Sequence, residues 1–189
     1  MAENQNTYVA EVYSDATLEP GKPEFQRRFL LSEGLLREGE AHTQQAAWRL
    51  IDPEGQVGME VTIVSVGERL FQVPLTYRPE PLPADVPTLG EMAHSVLGTR
   101  YIYDARRDPA FRDALNAVVR EGGTAASKRD LSTGEVQPPQ VEFRVIPGEG
   151  AEVLVVLDDQ RNDDAPGTLM GTWGEEPQRY RAVLASQAG

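Results

Sequence analysis

The sequence of 189 residues contains no cysteine and only two histidines, His42 and His94. Without thiols there is no disulfide framework, no thiolate nucleophile and no sulfur-ligated zinc site. Two histidines are too few for a multi-histidine metal centre. Positive charge is also scarce: 18 Lys and Arg stand against 30 Asp and Glu, a formal charge of −12. A nucleic-acid binder needs a basic footprint to displace counterions from phosphates, and an anionic membrane surface makes a similar demand. No nucleic acid and no membrane is therefore expected as a partner. The purest apolar run, Val153 to Leu157, has five residues, against about 20 for a membrane-spanning helix. The first residues, Met1 to Thr7, lack the basic and apolar regions of a secretion signal. A cytoplasmic protein is the expectation, with the acidic surface favouring solubility.

What is present reads mostly as strand. The length suits one domain, expected over 1–189 with an ordered core over about 7–185. Val9 lies in a weakly alternating stretch from Thr7 to Tyr13, and Phe25 to Leu31 is mixed. Ala46 to Ile51 stops at Asp52-Pro53-Glu54-Gly55, a turn by composition. Met59 to Val66 and Leu70 to Tyr77 alternate with period two and are separated by Gly67-Glu68, which predicts a β-hairpin. Pro74 cannot donate to a ladder, so an edge strand or a bulge is expected there. Arg78 to Thr88 carries four prolines and reads as an extended connector. One helix is well signalled: Asp108 as cap, Pro109 at the first position, Phe111, Leu115, Val118 and Val119 on one face, and Gly122-Gly123 as the stop. Further strands are predicted over Val141 to Ile146, Glu152 to Leu157, Thr168 to Trp173 and Tyr180 to Leu184. The pattern predicts an α+β fold, an antiparallel sheet laying its apolar face on one main helix.

The motifs of common chemistries are missing. There is no G-x-x-x-x-G-K-S/T loop, no strand-linked G-x-G-x-x-G, no H-R-D or D-F-G kinase segment and no G-x-S-x-G. His94 and Ser95 are neighbours, and adjacent side chains on a strand point to opposite faces, so they do not make a nucleophile and its base. The pairs Asp158-Asp159, Asp163-Asp164 and Glu175-Glu176 sit in polar loops without EF-hand spacing and read as a solvated acidic face. Arg106-Arg107 and Lys128-Arg129 could meet a phosphate; surface charge is the expectation. No enzyme, cofactor or metal is expected. The densest stretch runs from His94 to Asp104. Arg100, Tyr101, Tyr103 and Asp104 bring planar groups, donors and acceptors together, which suits a protein interface or sugar hydroxyls. On a strand Arg100, Ile102 and Asp104 share one face; a structural pair between Arg100 and Asp104, steadying the approach to the helix, is the favoured reading. With Arg78 and Glu80 of the connector, His94, Arg100, Tyr101, Tyr103 and Asp104 form the candidate interaction surface.

Four segments, Thr17 to Glu24, Trp48 to Gly58, Val73 to Leu82, and His94 to Asp104 continued through Asp108-Pro109, resemble the N-terminal cap domain of actinobacterial maltokinases and stand-alone proteins like it, in order along roughly 7–185. The resemblance implies a curved antiparallel sheet around one helix, similar to cystatin and monellin. In those kinases the cap precedes two domains that hold ATP, magnesium and sugar; their catalytic motifs have no counterpart here, so no catalytic residue is carried over. The resemblance implies a non-catalytic interaction or regulatory module that works beside a kinase-like or glucan-metabolism protein. The alternative is a small carbohydrate carrier, with Trp48, Tyr101 and Tyr103 stacking on a sugar ring.

Overall fold

The computed structural model describes residues 8–157 and 164–187. In chain order the elements are β1 (Val9–Val12), β2 (Leu18–Glu19), α1 (Lys22–Ser32), β3 (Thr43–Ile51), β4 (Gly58–Val66), β5 (Arg69–Arg78), β6 (Thr88–His94) and β7 (Gly98–Asp104). A 3-10 turn (Ala105–Arg107) leads into α2 (Pro109–Glu121). Then come β8 (Ser127–Asp130), β9 (Val136–Gln137), β10 (Glu142–Ile146), β11 (Glu152–Val153), β12 (Thr168–Trp173) and β13 (Tyr180–Ser186). The main sheet has six strands in the order β2-β6-β7-β5-β4-β3 and is antiparallel throughout. A four-stranded sheet, β10-β12-β13-β11, and a small sheet, β1-β8-β9, complete the described residues. The pairing of β1 with β8 is parallel.

The predicted hairpin is formed. Val66 pairs with Arg69 across Gly67-Glu68, and the ladder continues to Gly58 and Tyr77. Gly67 has φ 58°, the left-handed value that a two-residue hairpin loop asks of its first central position. The period-two reading of β4 and β5 also holds, but both faces are buried. Met59, Val61 and Ile63 join Trp48, Leu50 and, from the later helix α2, Phe111, Leu115, Val118 and Val119 in one core. Val64, Phe71, Val73 and Leu75 join Phe25, Phe29, Leu30, Met92 and Ile102 in a second.

The second core corrects the expectation of one main helix. Among the described residues there are two α-helices, and α1 covers the opposite face of the main sheet from α2. Phe25, Phe29 and Leu30 make its inward face, Pro23 sits in its first turn, and Glu24 pairs with Arg28 one turn on. The fold is mostly antiparallel β with two helices and a curled main sheet. Helix α2 forms as predicted. The Asp108 carboxylate accepts from the Ala110 N–H, Pro109 takes the first turn, and Gly122 closes the helix at φ 71°.

Strand β5 lies inside the sheet, not at its edge. Pro74 is accommodated because pairing with β7 begins only at Leu75. Beyond that point the outer side of β5 is taken by another segment, with the Gln72 N–H donating to Val155 O at 2.7 Å and the Leu157 N–H to Leu70 O at 3.1 Å. Pro74 stands at the changeover, where no N–H is needed.

Candidate functional site

The stretch from His94 to Asp104 is a hairpin, not one strand. His94 ends β6, residues 95–97 turn, and β7 returns, with His94 paired to Gly98. At its tip the N–H groups of Val96 and Leu97 donate to His94 Nδ1 at 3.2 and 3.1 Å. Arg100 donates from Nη2 to Leu97 O at 2.9 Å. The Ser95 N–H donates to Thr17 O at 3.0 Å, and Ser95 Oγ accepts from the Thr17 N–H at 2.9 Å. Tyr13 meets the His94 ring edge-on at 5.8 Å. These contacts hold the tip in one shape and present two apolar side chains to solvent: Val96 is 55% exposed and Leu97 42%.

His94 works here as an acceptor, so its Nδ1 must be unprotonated. Burial, with help from Arg100 and Lys22, pushes its pKa below the usual value. A histidine whose folded pKa is lowered contributes stability that is complete above about pH 6.5 and lost as the pH falls through the lowered value. Wild type is therefore expected to exceed His94→Ala in unfolding free energy at pH 7.5, with a narrower gap at pH 5. Urea denaturation at the two pH values checks this; a gap independent of pH would show that the ring does not accept these bonds.

Three other members of the expected surface, Arg78, Tyr103 and Asp104, make contacts within the fold. Arg78 donates from Nη1 to both Asp108 oxygens at 2.8 and 2.9 Å, and Asp108 is fully buried. Tyr103 is 3% exposed, and its hydroxyl accepts the Leu82 N–H at 3.0 Å, pinning the proline-rich connector. Asp104 caps the 3-10 turn by accepting the Arg106 N–H and pairs with the Arg106 side chain, which also reaches Glu33. The expected pair of Arg100 with Asp104 is not formed. They do share a face, as read, but four residues along a strand span about 13 Å. Steadying of the approach to α2 falls instead to Arg78–Asp108 and Asp104–Arg106. Glu80 is exposed and Tyr101 half-buried.

The aromatic trio expected for sugar stacking is not assembled. Trp48 is 1% exposed, tilted against Phe111 and edge-on to Phe143. Tyr103 is buried on the connector, which leaves Tyr101. Of the acidic pairs, Asp158, Asp159 and Asp163 lie outside the described residues. Among the described residues no group of three acidic or histidine side chains is placed to hold a metal ion, and no helix is long and apolar enough to cross a membrane.

Sequence reasoning missed the exposed Val96 and Leu97. Their signal was available as two apolar residues between a histidine and a glycine, but only the turn puts them outside. No curated protein matches the chain. Residues 32–108 match the family model of the maltokinase N-terminal cap domain. The matched segment runs from the last residue of α1 to the cap of α2, and so contains β3 to β7 and the hairpin tip. It is narrower than the 7–185 expected from resemblance, and over it the likeness to maltokinase caps is shown.

Proposed function

We infer that the chain is a non-catalytic, cap-like module that docks on a kinase-like protein of sugar metabolism through the tip of the β6–β7 hairpin. The observation that carries this reading is the rigid presentation of Val96 and Leu97 within the segment that matches the cap domain. Apolar groups held in one conformation lose little freedom on binding, which is how a small patch gains affinity. His94 and Arg100 set the shape of the tip. The docked cap restrains the movement of the kinase-like body against which it sits.

The test pairs a tagged full chain with lysate of its own cells, identification of the co-purifying protein, and reconstitution from purified components. A stoichiometric complex with a kinase-like protein is expected. Val96→Ser with Leu97→Ser is expected to weaken it at least tenfold while the melting temperature is unchanged, since exposed substitutions move stability little. A kinase-like partner that binds the double variant equally well would remove the hairpin from the interface. Absence of any such partner would remove the function itself.

A further inference from the structure

A second feature lies along the outer edge of β3, where the Ala126 N–H donates to Arg49 O at 3.0 Å. A cleft of about 210 Å³ opens between that edge and the segment 126–140. Three cations line it, Lys22 from the start of α1, Arg49 from β3 and Lys128 from β8, with Glu60 of β4 as the carboxylate among them. Glu60 is buried and already committed. Lys22 Nζ donates to its two oxygens at 3.0 and 3.1 Å, and the Arg49 guanidinium pairs with it as well. Lys128 makes no ion pair among the described residues. In a chain of net charge −12, this leaves two more positive groups than negative ones in one recess. The electrostatic strain is visible on Lys22, whose ammonium burial, Arg49 and Lys128 together push down to about 7. Arg49 and Lys128 are lowered too, by burial first. The remaining wall is apolar and amide: Trp48, Ala47, Ala126, Pro138 and Pro139, with Gln44 and Gln140. The Gln140 side chain fixes the rim by accepting the Ala47 N–H at 3.0 Å.

We propose that this cleft binds a small phosphomonoester, with the phosphate dianion on Lys22, Arg49 and Lys128 and the organic part against Pro138, Pro139 and Ala47. Three cationic side chains face one carboxylate, so a dianion entering the recess favours the charged form of Lys22, and Lys and Arg are the side chains suited to phosphate oxygens. The recess is larger than a bare phosphate needs, and its apolar wall gives the ester group a place out of water.

The proposal is tested with glycerol 3-phosphate as probe, titrated into the full chain at fixed ionic strength and followed by calorimetry and by amide chemical shifts. Glycerol with sodium chloride is the reference. Saturable binding is expected, with shifts gathered on residues 47–49, 126–128 and 138–140. Lys128→Met is expected to weaken it at least tenfold, and Lys128→Glu to abolish it. Arg129→Met removes the same charge one residue along β8, outside the cleft lining, and is expected to leave binding unchanged. Lys128 and Arg129 are not in either core, so all three variants fold, and unchanged melting curves confirm it. No binding by wild type, binding indifferent to Lys128, or equal weakening by Arg129→Met would each overturn the proposal, the last by reducing the effect to net charge. The hairpin tip is a separate surface, so a failure here leaves the docking reading untouched.

Discussion

Gln72→Leu is expected to lower the unfolding free energy by about 3–5 kcal/mol, although the exchange hardly changes side-chain volume. Gln72 is fully buried on β5. Its Oε1 accepts the Trp48 Nε1–H at 2.8 Å, and its Nε2 donates to Leu154 O at 2.7 Å and Leu184 O at 2.8 Å. One amide therefore ties the main sheet to β13 and to the segment after β11. Leucine would leave the indole N–H and the Leu154 carbonyl without these partners, while Leu184 O keeps the Leu154 N–H at 2.9 Å. Each buried group left unpaired costs about 1–3 kcal/mol, and the partly satisfied carbonyl costs less. Urea unfolding measures the loss. Adding Trp48→Phe removes the orphaned donor, so the double variant should fall short of the sum of the two single losses. A Gln72→Leu loss under about 1 kcal/mol would mean that the sheets do not depend on this bridge. Hydrogen exchange adds a spatial check: protection in β13 should fall before protection in β4, because the bridge holds the smaller sheet to the larger.

That bridge also shows where sequence reading stops. A glutamine alternating with Phe71 and Val73 looks like the wet side of a half-buried strand, and only the arrival of Leu154, Val155 and strand β13 makes its face an interior. Helix α2 was legible because cap, proline, apolar spacing and C-terminal glycine all agree. Helix α1 was not, because Gln26 sits on its buried side, donating to Thr62 at 3.3 Å, and this breaks the apolar stripe. Strand β6 was hidden by its bulge. The register shifts between Thr88 and Gly90, so the inward Leu89 and Met92 stand three apart instead of two. At Gly90, φ is 133°, and a Cβ would come within 2.5 Å of Arg28 Nη1; the glycine lets α1 approach. Of the cationic cleft only Lys128 stood out in the sequence, as half of a basic pair. The charges of the cleft come from α1, β3, β4 and β8, and only the register that sets Arg49 opposite Glu60 brings them together.

Arg78 separates a structural role from a functional one, because the two roles give opposite results. Arg78→Met is expected to destabilise the protein by about 3 kcal/mol, the lower part of the range for removing one partner of a buried ion pair. The Asp108 carboxylate would remain at a site without solvent, with the Ala110 N–H at 3.0 Å as its surviving donor. That donor is why the loss should not reach the upper part of the range. Asparagine at 108 keeps an acceptor for the cap and carries no charge, so Arg78→Met combined with Asp108→Asn should recover most of the stability. Thermal and urea unfolding of the four proteins in the cycle give the coupling directly. If Arg78→Met instead left stability within about 1 kcal/mol of wild type and weakened the partner complex, Arg78 would belong to the docking surface. The geometry favours the first result: a guanidinium donating to both oxygens of a fully buried carboxylate is committed to the start of α2, and the partner is left to the hairpin tip.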